Sequence, residues 1–492
     1  MSQESIEAAL LEENRRKCIP PLPDAEVCRI ARSVARYKPA NADAHSTDLG
    51  NALRLVAQHG ENFRHLAKSG TWLNYDGTRW TEDVTGEVVR RAKETVAQLY
   101  AEAAGQEDEE KRKTLAKHAL RSESAQKINA MVKLGESELG IAVRHEDFDR
   151  DAYLFNVQNG TLDLKTGMLG PHRREDMITR LAPVAHDPSA TCPTFDAFLT
   201  RIFDGNMDLI RFLQRAAGYS LAAVTVEQVL FILWGGGANG KTTLLNALFE
   251  MMGDYATSAA PDVFLAHRKD THPTAIADLE GRRLVGAVEV DEGSRLAENL
   301  VKQLTGGDRA KGRKMRQDFQ EFIPQFKLFL ACNHKPVIRG NDLAIWRRIR
   351  LIPFTVTIPP EEQDRNLPDK LRAELTGILR WAVEGCLSWQ KEGLGTPPDV
   401  TRATDSYRAE MDLLANFIAD ECVVSPTAHA GKEDLYGAFK KWAEENHEPV
   451  LTKRMIGMRL EERGFDSGRT GKRRFWIGIG LAADSGQEDG DA

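Results

Sequence analysis

One segment, VLFILWGGGANGKTTLLNALFEMMG at residues 229–253, constrains the fold of this chain more than any other. Residues 229–234 form an apolar run typical of a buried strand, and residues 242–252 show the apolar spacing of a helix. Between them, residues 235–242 fit the pattern G-x-x-x-x-G-K-S/T without a mismatch. A strand, a glycine-rich turn and a helix in this order predict a loop that holds a phosphate group.

The residue types in this loop suit a nucleoside triphosphate. Glycine lets the backbone turn its amides toward phosphate oxygens, and a helix that begins near Lys241 adds the positive end of its dipole. The Lys241 ammonium is expected to reach the β- and γ-phosphates, and the Thr242 hydroxyl is expected to ligate Mg²⁺. The sequence therefore predicts ATP and Mg²⁺ as cofactors. The expected nucleotide contacts are Gly235, Gly236, Gly237, Ala238, Asn239, Gly240, Lys241, Thr242 and Thr243.

Two carboxylates are expected at the end of a second strand, in RRLVGAVEVDEG at residues 282–293. Glu289 ends the apolar run, and Asp291 falls on the same strand face because side chains alternate along a strand. One acid should hold the metal, for which Glu289 is the candidate together with Thr242, and the other should polarise the attacking water. The spacing leaves open which acid is the catalytic base. A strand that ends in a solvated acidic turn is the alternative.

Polar residues also follow the next apolar segments. FKLFLACNHKP, residues 326–336, predicts a buried strand that ends in Asn333, which can orient water at a γ-phosphate. A turn-forming asparagine is the alternative. Arg347 and Arg348 stand among apolar residues in AIWRRIRLIPF, where they can bind the γ-phosphate of an adjoining subunit or pair with acids of their own fold. The catalytic candidates are Lys241, Glu289, Asp291, Asn333, Arg347 and Arg348.

Charge is unevenly distributed along the chain. The net charge is −7, yet residues 301–350 contain 12 Lys and Arg against 4 Asp and Glu, and residues 452–474 contain 8 against 3. Basic islands in an acidic chain favour a polyanionic partner. Solvated basic faces that are balanced elsewhere would give the same counts.

The first basic island predicts a hairpin. Its cations alternate along an apparent strand, Gln317-Asp318 forms the turn, and FQEFI returns. A hairpin of this kind would present its cations to the backbone of single-stranded DNA, and an exposed basic ribbon is the alternative. The expected DNA contacts are Lys311, Arg313, Lys314 and Arg316, with Lys311 and Arg313 favoured.

The second basic island lies in a compact C-terminal module. LYGAFKKWAEE places Leu435, Phe439 and Trp442 on one helical face, and TKRMIGMRLEERG predicts a second helix with Thr452 as its N-cap. FDSGRTGKRRFWIGIGL predicts a β-wing. The pattern indicates a winged helix that contacts the backbone of duplex DNA, with a protein docking domain as the rival. The expected DNA contacts are Arg469, Lys472, Arg473 and Arg474.

The chain is long enough for several domains. The pattern predicts a helical segment at 1–45, an α/β domain at 46–200, a parallel-sheet ATPase domain at 205–385, C-terminal helices and a winged helix at 400–482, and an acidic disordered tail at 483–492. Residues 70–83 predict a hairpin around Asp76-Gly77, and residues 391–400 predict a linker. No apolar run near the loop could span a bilayer, so no membrane partner is expected. The six cysteines are scattered without a CxxC pair, which favours a cytoplasmic location.

The order of these elements resembles that of the superfamily 3 helicases, and more narrowly the phage and plasmid primase-helicases related to the poxvirus replicative ATPase. The resemblance implies an AAA+-type P-loop core in which Lys241 and Thr242 belong to Walker A and Glu289 to Walker B. Thr305-Gly306-Gly307-Asp308 would open the B′ segment. By the same resemblance, Asn333 would be the sensor, and Arg348, with Arg347 beside it, the arginine finger. Here Val290 separates the two acids that are adjacent in other branches.

The resemblance extends beyond the ATPase. Residues 46–200, with GTWLNYDGTRWTED at 70–83, resemble the domain that precedes the helicase in this family, and residues 435–479 resemble its C-terminal winged-helix module. PLPDAEVCRIARSVARY resembles the tail of the helical domain that follows a primase. No polymerase-like acidic motif is found upstream of that helix. RNA priming is therefore not expected from this chain, which makes a separate primase a candidate partner.

Together these features predict an α/β protein that acts as an ATP- and Mg²⁺-dependent DNA helicase of a mobile element. The predicted assembly is a homo-oligomeric ring, a hexamer, on single-stranded and forked DNA, because an arginine finger must act on the neighbouring subunit's ATP. Three-to-five translocation is implied by the resemblance alone. One rival is a DNA-stimulated ATPase switch or loader that unwinds nothing. The other is a scaffold with a degenerate ATP site, which the intact motif set disfavours.

Overall fold

The computed structural model describes most of the chain between residues 45 and 482. The described residues are 11, 14, 23, 26–28, 45–266, 273–288, 293–313, 319–338, 343–446, 448, 450–470 and 473–482. The chain divides into two compact units. The first comprises residues 1–152, 158–161 and 170–181, and the second comprises the remainder. Of the helical segment expected at 1–45, residues 11, 14 and 26–28 are described as helical, and the tail expected at 483–492 lies outside the described residues.

The first unit combines a small sheet with a layer of helices. Its elements are α1 (Asp48–His59), β1 (Phe63–Leu66), β2 (Thr71–Tyr75), β3 (Trp80–Glu82), α2 (Glu87–Ala104), α3 (Glu109–Ser122), α4 (Ala125–Gly135) and β4 (Ala142–Val143). The strand order is β3-β2-β1-β4, with β1 parallel to β4 and the other pairs antiparallel. Leu55, Val96 and Met131 are buried between α1, α2 and α4.

Strands β2 and β3 form the hairpin that the sequence predicts around Asp76-Gly77. Tyr75 lies opposite Trp80 in the antiparallel register. The Asp76 carboxylate accepts hydrogen bonds from the backbone amides of Thr78 and Arg79, at 2.7 and 2.9 Å. An aspartate that binds amides further along the chain stabilises a tight turn, so the prediction is confirmed.

Three short strands follow, and they form a sheet of their own in the order β5-β6-β7. They are β5 (Leu154–Val157), β6 (Gly160–Asp163) and β7 (Met168–Gly170). The second unit continues with α5 (Pro193–Ile202), α6 (Met207–Leu221), β8 (Leu230–Trp234), α7 (Lys241–Met252), β9 (Ala256–Ser258), α8 (Pro273–Ala277), β10 (Leu284–Val288), α9 (Glu298–Gly306), β11 (Ala310–Gly312), β12 (Gln320–Phe322), β13 (Lys327–Cys332), α10 (Leu343–Trp346) and β14 (Ile349–Pro353).

A five-stranded parallel sheet forms the centre of this unit, in the order β14-β8-β13-β10-β9. Its strands are apolar runs rather than alternating ones, because helices cover both faces of a parallel sheet. All six residues of β13 are buried. The alternation of strands and helices that the sequence predicts is confirmed. Strand β13 therefore lies between β8, which precedes the glycine-rich loop, and β10.

The register of the sheet defines two edges. Trp234 at the end of β8 lies opposite Cys332 and Pro353, while Leu230 at its start lies opposite Leu328 and Ile349. Residues that follow these strands therefore gather at one edge, called the carboxyl edge below. Residues that precede the strands gather at the opposite, amino edge.

Two buried cations stabilise the amino edge. Arg283 and Lys327 are 4% and 2% exposed and stand at the starts of β10 and β13. The Arg283 guanidinium donates to the carbonyl oxygen of Leu221, and the Lys327 ammonium donates to that of Ala222. The last carbonyls of a helix have no partner within the helix and form its negative end. Burial, aided by Arg283, holds the pKa of Lys327 well below its usual value.

Three helices follow the sheet: α11 (Leu367–Ala373), α12 (Leu375–Glu392) and α13 (Pro398–Glu410). The sequence predicts a linker at 391–400, but Leu394 and Val400 are 2% and 0% exposed within the main core. The glycines and prolines of this segment therefore end one helix and start the next, within a single core. Tyr407 of α13 is fully buried and packs against Trp346 beside the sheet.

The C-terminal module has a core of its own. Its elements are α14 (Leu413–Glu421), β15 (Cys422–Gly431), α15 (Lys432–Glu445), α16 (Lys453–Glu462), β16 (Asp466–Thr470) and β17 (Arg473–Leu481). The strands form an antiparallel sheet in the order β15-β17-β16. Leu435, Phe439 and Trp442 are buried together, and the Thr452 hydroxyl accepts from the Met455 amide at 3.3 Å. The predicted helix face and the N-cap are confirmed, and β16 and β17 pair antiparallel where the sequence predicts a β-wing.

Among the described residues, no helix combines the length and the apolar character needed to cross a membrane. In this part of the chain, Cys192, Cys332, Cys386 and Cys422 are free thiols. Burial raises the pKa of the Cys332 thiol to about 12. This thiol therefore packs as a small apolar side chain at the end of β13.

Helices α6 and α12 approach each other until their backbones touch. A Cβ at Gly218 would lie 2.1 Å from the Cys386 nitrogen, and a Cβ at Gly385 would lie 2.1 Å from the Gln214 carbonyl oxygen. Distances this short exclude any side chain at these two positions unless the helices separate.

We therefore expect Gly218→Ala to lower the free energy of unfolding by at least roughly 2 kcal/mol, because the added methyl must push α12 away from α6. Chemical denaturation of the full chain measures the change. The control is Gly437→Ala on α15, where a Cβ would meet nothing within 4 Å among the described residues. This variant should gain up to about 1 kcal/mol from helix propensity. Equal stability of the two variants would contradict the close helix contact.

Candidate functional site

The loop after β8 adopts a conformation that depends on glycine. Gly237 and Gly240 have φ angles of 102° and 83°, in the left-handed region that costs glycine little. Ala238 has a φ of 45°, which a residue with a Cβ seldom adopts. Its carbonyl oxygen accepts from the Ile358 amide at 2.7 Å, which holds the loop in place. Helix α7 then begins at Lys241 with Gly240 as its N-cap.

The loop is packed on one side and open on the other. A Cβ at Gly235 would lie 2.2 Å from the Phe354 carbonyl oxygen, and a Cβ at Gly240 would lie 2.8 Å from the side chain of Ile202. At Gly236 and Gly237, a Cβ would meet nothing within 4 Å among the described residues. The loop thus rests against α5 and the end of β14, and its other face is accessible to a ligand.

Lys241 lies at the centre of this arrangement. The side chain is 5% exposed. Its ammonium donates to the Gly235 carbonyl oxygen at 2.7 Å, to Asn239 Oδ1 at 2.8 Å and to Asn333 Oδ1 at 3.1 Å. Burial lowers the pKa of Lys241 because the charged form loses its hydration. All three acceptors are uncharged, so an anion beside the loop would supply a counter-charge that they do not provide.

Asn333 and Asn239 reach this ammonium from different directions. Asn333 follows β13 at the carboxyl edge, where the sequence places a sensor residue, and the structure brings it to Lys241. Asn239 is 3% exposed and sits beneath the loop, where its amide nitrogen is 3.4 Å from the Phe354 carbonyl oxygen. The sequence predicts a phosphate contact at Asn239, and its structural role as a partner of Lys241 was missed.

A series of contacts connects this edge with the C-terminal module. The Lys335 ammonium lies 4.3 Å from the centre of the Trp234 ring and 2.8 Å from each carboxylate oxygen of Glu410, the last residue of α13. Two residues further, Asp412 caps α14 and forms an ion pair with Arg463 at the end of α16. The sequence contains no local signal for these contacts, because the residues are far apart along the chain.

Arg347 and Arg348 lie at the amino edge, immediately before β14. Arg348 is 7% exposed, and it donates to Thr305 Oγ1 at 3.2 Å and to the Ala344 carbonyl oxygen at 2.5 Å. Arg347 is exposed, and its guanidinium is 3.4 Å from Gln228 Oε1. Strand β8 has five residues, so roughly 16 Å separates this edge from the loop at about 3.3 Å per residue. Neither arginine is placed to reach the loop of its own chain.

The basic hairpin predicted after α9 is confirmed where it is described. Strands β11 and β12 are antiparallel, with Lys311 opposite Glu321, and their side chains form an ion pair at 3.0 Å. The Arg313 guanidinium lies 5.2 Å from the centre of the Phe319 ring. Phe319 is 58% exposed. The sequence predicts the cations, whereas the aromatic ring beside Arg313 and the acid paired with Lys311 were missed.

The tip of the β-wing presents several cations together. Arg469 lies opposite Arg474, and Thr470 lies opposite Arg473, in the register of β16 and β17. All three arginines are exposed. Three exposed cations on two paired strands are consistent with the predicted contact between the wing and a polyanion.

Several predicted site residues lie outside the described residues: Glu289, Asp291, Lys314, Arg316 and Lys472. Thr242 is exposed in the first turn of α7. The part of the chain that the structure describes contains no group of three or more His, Cys, Asp and Glu residues that could hold a metal ion. The Mg²⁺ site therefore stays a prediction from the sequence.

Three parts of the chain match models of protein families. Residues 52–204 match the family described as D5 N terminal like, and residues 1–40 match primase C terminal 1. Residues 233–348, which include the loop, the basic hairpin and both arginines, match a family of unknown function, DUF5906.

Similar proteins are known from large DNA viruses. A protein of Acanthamoeba polyphaga mimivirus, named as a candidate helicase, is 25% identical over 328 residues, which is 61% of this chain and 34% of that protein. A protein of African swine fever virus, named as a candidate primase, is 23% identical over 350 residues, 64% of this chain and 35% of that protein. Parts of the chain are thus similar to the D5 N terminal like and primase C terminal 1 families, and the viral relatives are named as helicases or primases. The chain spans about a third of the length of these viral relatives.

A protein of Frog virus 3 is also named as a candidate helicase, and it is 28% identical over 48% of this chain and 26% of its own length. Among solved structures, the apo C terminal region of NrS-1 aligns with 85% of this chain and 96% of that chain. The identity is 10% and the TM-score is 0.47.

Proposed function

We propose that this chain is an ATP-dependent DNA helicase that acts as a homo-oligomeric ring in DNA replication. The proposal rests on one observation, that the loop residues and the two arginines lie at opposite edges of the same sheet. Lys241 and Asn333 meet at the carboxyl edge, and Arg347 and Arg348 stand at the amino edge. A site that takes its loop from one subunit and its arginine from the next is completed for every subunit when the ring closes. The names of the viral relatives support a replication enzyme.

In this proposal the parallel sheet is a P-loop core of the AAA+ type. The open face of the loop binds the phosphates of ATP, and Lys241 neutralises their charge. Thr242 and Glu289 are proposed to hold Mg²⁺, and Asn333 and Asp291 to orient and deprotonate water. Bound Mg²⁺–ATP supplies the phosphoanhydride bond whose hydrolysis drives the cycle. The fit rests on the burial of Lys241 against uncharged oxygens.

We assign the contact with the neighbouring subunit's γ-phosphate to Arg347, because this arginine is exposed. Arg348 has a different position, because it donates to Thr305 in the last turns of α9. The basic hairpin begins at Ala310, close after the end of that helix. A displacement of Arg348 can therefore be transmitted to the basic hairpin through Thr305 and the end of α9.

Two surfaces are proposed to contact DNA. In the basic hairpin, Lys311 and Arg313 would contact the phosphates of a single strand while Phe319 stacks on its bases. The C-terminal module would act as a winged helix, with Arg469, Arg473 and Arg474 on the backbone of the duplex. A strand-displacement assay on forked DNA distinguishes this helicase from an ATPase switch or loader, which would hydrolyse ATP without separating strands.

We expect Gly235→Ala to weaken binding of a fluorescent ATP analogue at least about tenfold, which corresponds to roughly 1.4 kcal/mol. Its Cβ would collide with the backbone oxygen of Phe354 and displace the loop. Gly236→Ala is the matched control, because its Cβ meets open space among the described residues. Its affinity should stay within about twofold of the wild type. The proposed nucleotide site is wrong if both variants bind like the wild type.

Lys241→Ala should reduce DNA-stimulated ATP hydrolysis at least about a hundredfold, because the charge developing on the phosphates loses its nearest cation. Phosphate release with single-stranded DNA measures the rate, and separation of forked DNA is measured in parallel. Lys441→Ala, at an exposed position of α15, is the control and should resemble the wild type. Hydrolysis that does not depend on Lys241 would contradict the assignment.

The ion pair between Lys311 and Glu321 allows the contact between the hairpin and single-stranded DNA to be tested from both sides. Lys311→Gln should reduce the slope of log affinity against log salt for single-stranded DNA by about 0.7, the value for one lost phosphate contact. Glu321→Gln should instead raise the affinity, because it frees Lys311 from its partner. Anisotropy of a labelled oligonucleotide over a range of salt concentrations gives both values. Unchanged slopes in both variants would remove the hairpin from the proposed DNA path.

A further inference from the structure

The C-terminal module contains a cavity of about 300 Å³ on the side of the sheet where α15 and α16 begin. It is lined by Lys432, Leu435, Tyr436, Lys453, Arg454, Ile456, Gly457 and Trp476. The cations of the predicted wing tip are not among these lining residues, and neither are residues of the loop or of the basic hairpin. The cavity therefore has no part in the function proposed above.

The floor of the cavity is apolar. Leu435, Ile456 and Trp476 are 0%, 3% and 3% exposed. Gly457 leaves space above the indole, since a Cβ there would lie 3.7 Å from Trp476 Cζ2, an ordinary contact distance. A small apolar side chain from another molecule could fill this space and bury its surface.

The rim of the cavity is positively charged. The Lys432 ammonium lies 3.8 Å from the centre of the Trp476 ring. Lys453 and Arg454 are exposed at the start of α16, and Lys453 forms an ion pair with Glu433, outside the lining. Among the described lining residues there are three cations and no acid. Cations around an apolar floor match a ligand with carboxylates around one apolar side chain.

The apolar floor favours a protein ligand over DNA at this surface. A nucleic acid backbone has no apolar side chain to occupy the space above Trp476, whereas a peptide can bring an apolar side chain and carboxylates together.

We propose that this cavity is a docking site for an acidic peptide segment of a partner protein, whose single apolar side chain enters beside Gly457 and whose carboxylates meet Lys432, Lys453 and Arg454. The site recruits the partner to the C-terminal module, and it is independent of the nucleotide-binding loop.

The probe is a fluorescein-labelled synthetic peptide with a run of aspartates and one phenylalanine, and its anisotropy is measured with the full chain. Gly457→Leu fills the cavity and should weaken binding at least about tenfold, or roughly 1.4 kcal/mol. Loss of structure does not explain this result, because leucine is a better helix former than glycine. Arg454→Gln should weaken binding about threefold, and more so at low salt.

The matched control is Gly437→Leu, the same substitution on the exposed face of α15, where a Cβ meets nothing within 4 Å among the described residues. It should bind like the wild type, and a peptide with alanine in place of phenylalanine should bind more weakly to the wild type and to Gly437→Leu. Equal affinity of the two peptides for the wild-type chain, or of the peptide for Gly457→Leu and the wild type, would overturn the proposal. So would a Gly457→Leu variant that loses duplex DNA affinity and keeps the peptide, since the cavity would then serve DNA.

Discussion

The Lys241 ammonium lies buried against uncharged oxygens from three parts of the chain, and much of the second unit serves to bring these oxygens together. The loop must fold back over Asn239, which requires left-handed backbone at Gly237 and Gly240. Strand β13 must end level with β8 so that Asn333 can reach the same point, which the parallel register provides. Burying a cation without a counter-ion costs free energy, and under the proposed function an anion bound at the loop would offset this cost. In that proposal the loop is preorganised for phosphate.

The buried lysines at the two edges of the sheet have different electrostatic surroundings. Lys327 at the amino edge is fully enclosed, and helix α6 directs its last carbonyls at this lysine and at Arg283. The negative end of a helix thus takes the place of an anion, which makes this a structural contact. Lys241 faces the positive, amino end of its own helix α7. Its acceptors are the neutral oxygens of Gly235, Asn239 and Asn333, and under the proposed function a bound phosphate would supply the negative charge that they lack.

Sequence patterns predict those features that depend on neighbouring residues. The loop, the buried strands, both hairpins and the helices of the C-terminal module follow from local spacing, and the described structure contains them. Features that depend on distant residues were missed, such as the contact of Gly218 with α12 or the bidentate pairing of Lys335 with Glu410. Arg347 and Arg348 show most clearly what local sequence patterns do not predict. They are adjacent and chemically identical, yet one is exposed and the other buried, because Thr305 and the turn at Ala344 hold Arg348.

The path from Trp234 through Lys335, Glu410 and Asp412 to Arg463 joins the strand before the loop to the last helix of the C-terminal module. Coupling between two binding sites is reciprocal as a matter of thermodynamics. If occupancy of the loop shifts this path and changes the affinity of the module for its ligands by some factor, those ligands must change the affinity of the loop by the same factor. A partner or a duplex held far from the sheet would then act as an effector of nucleotide binding.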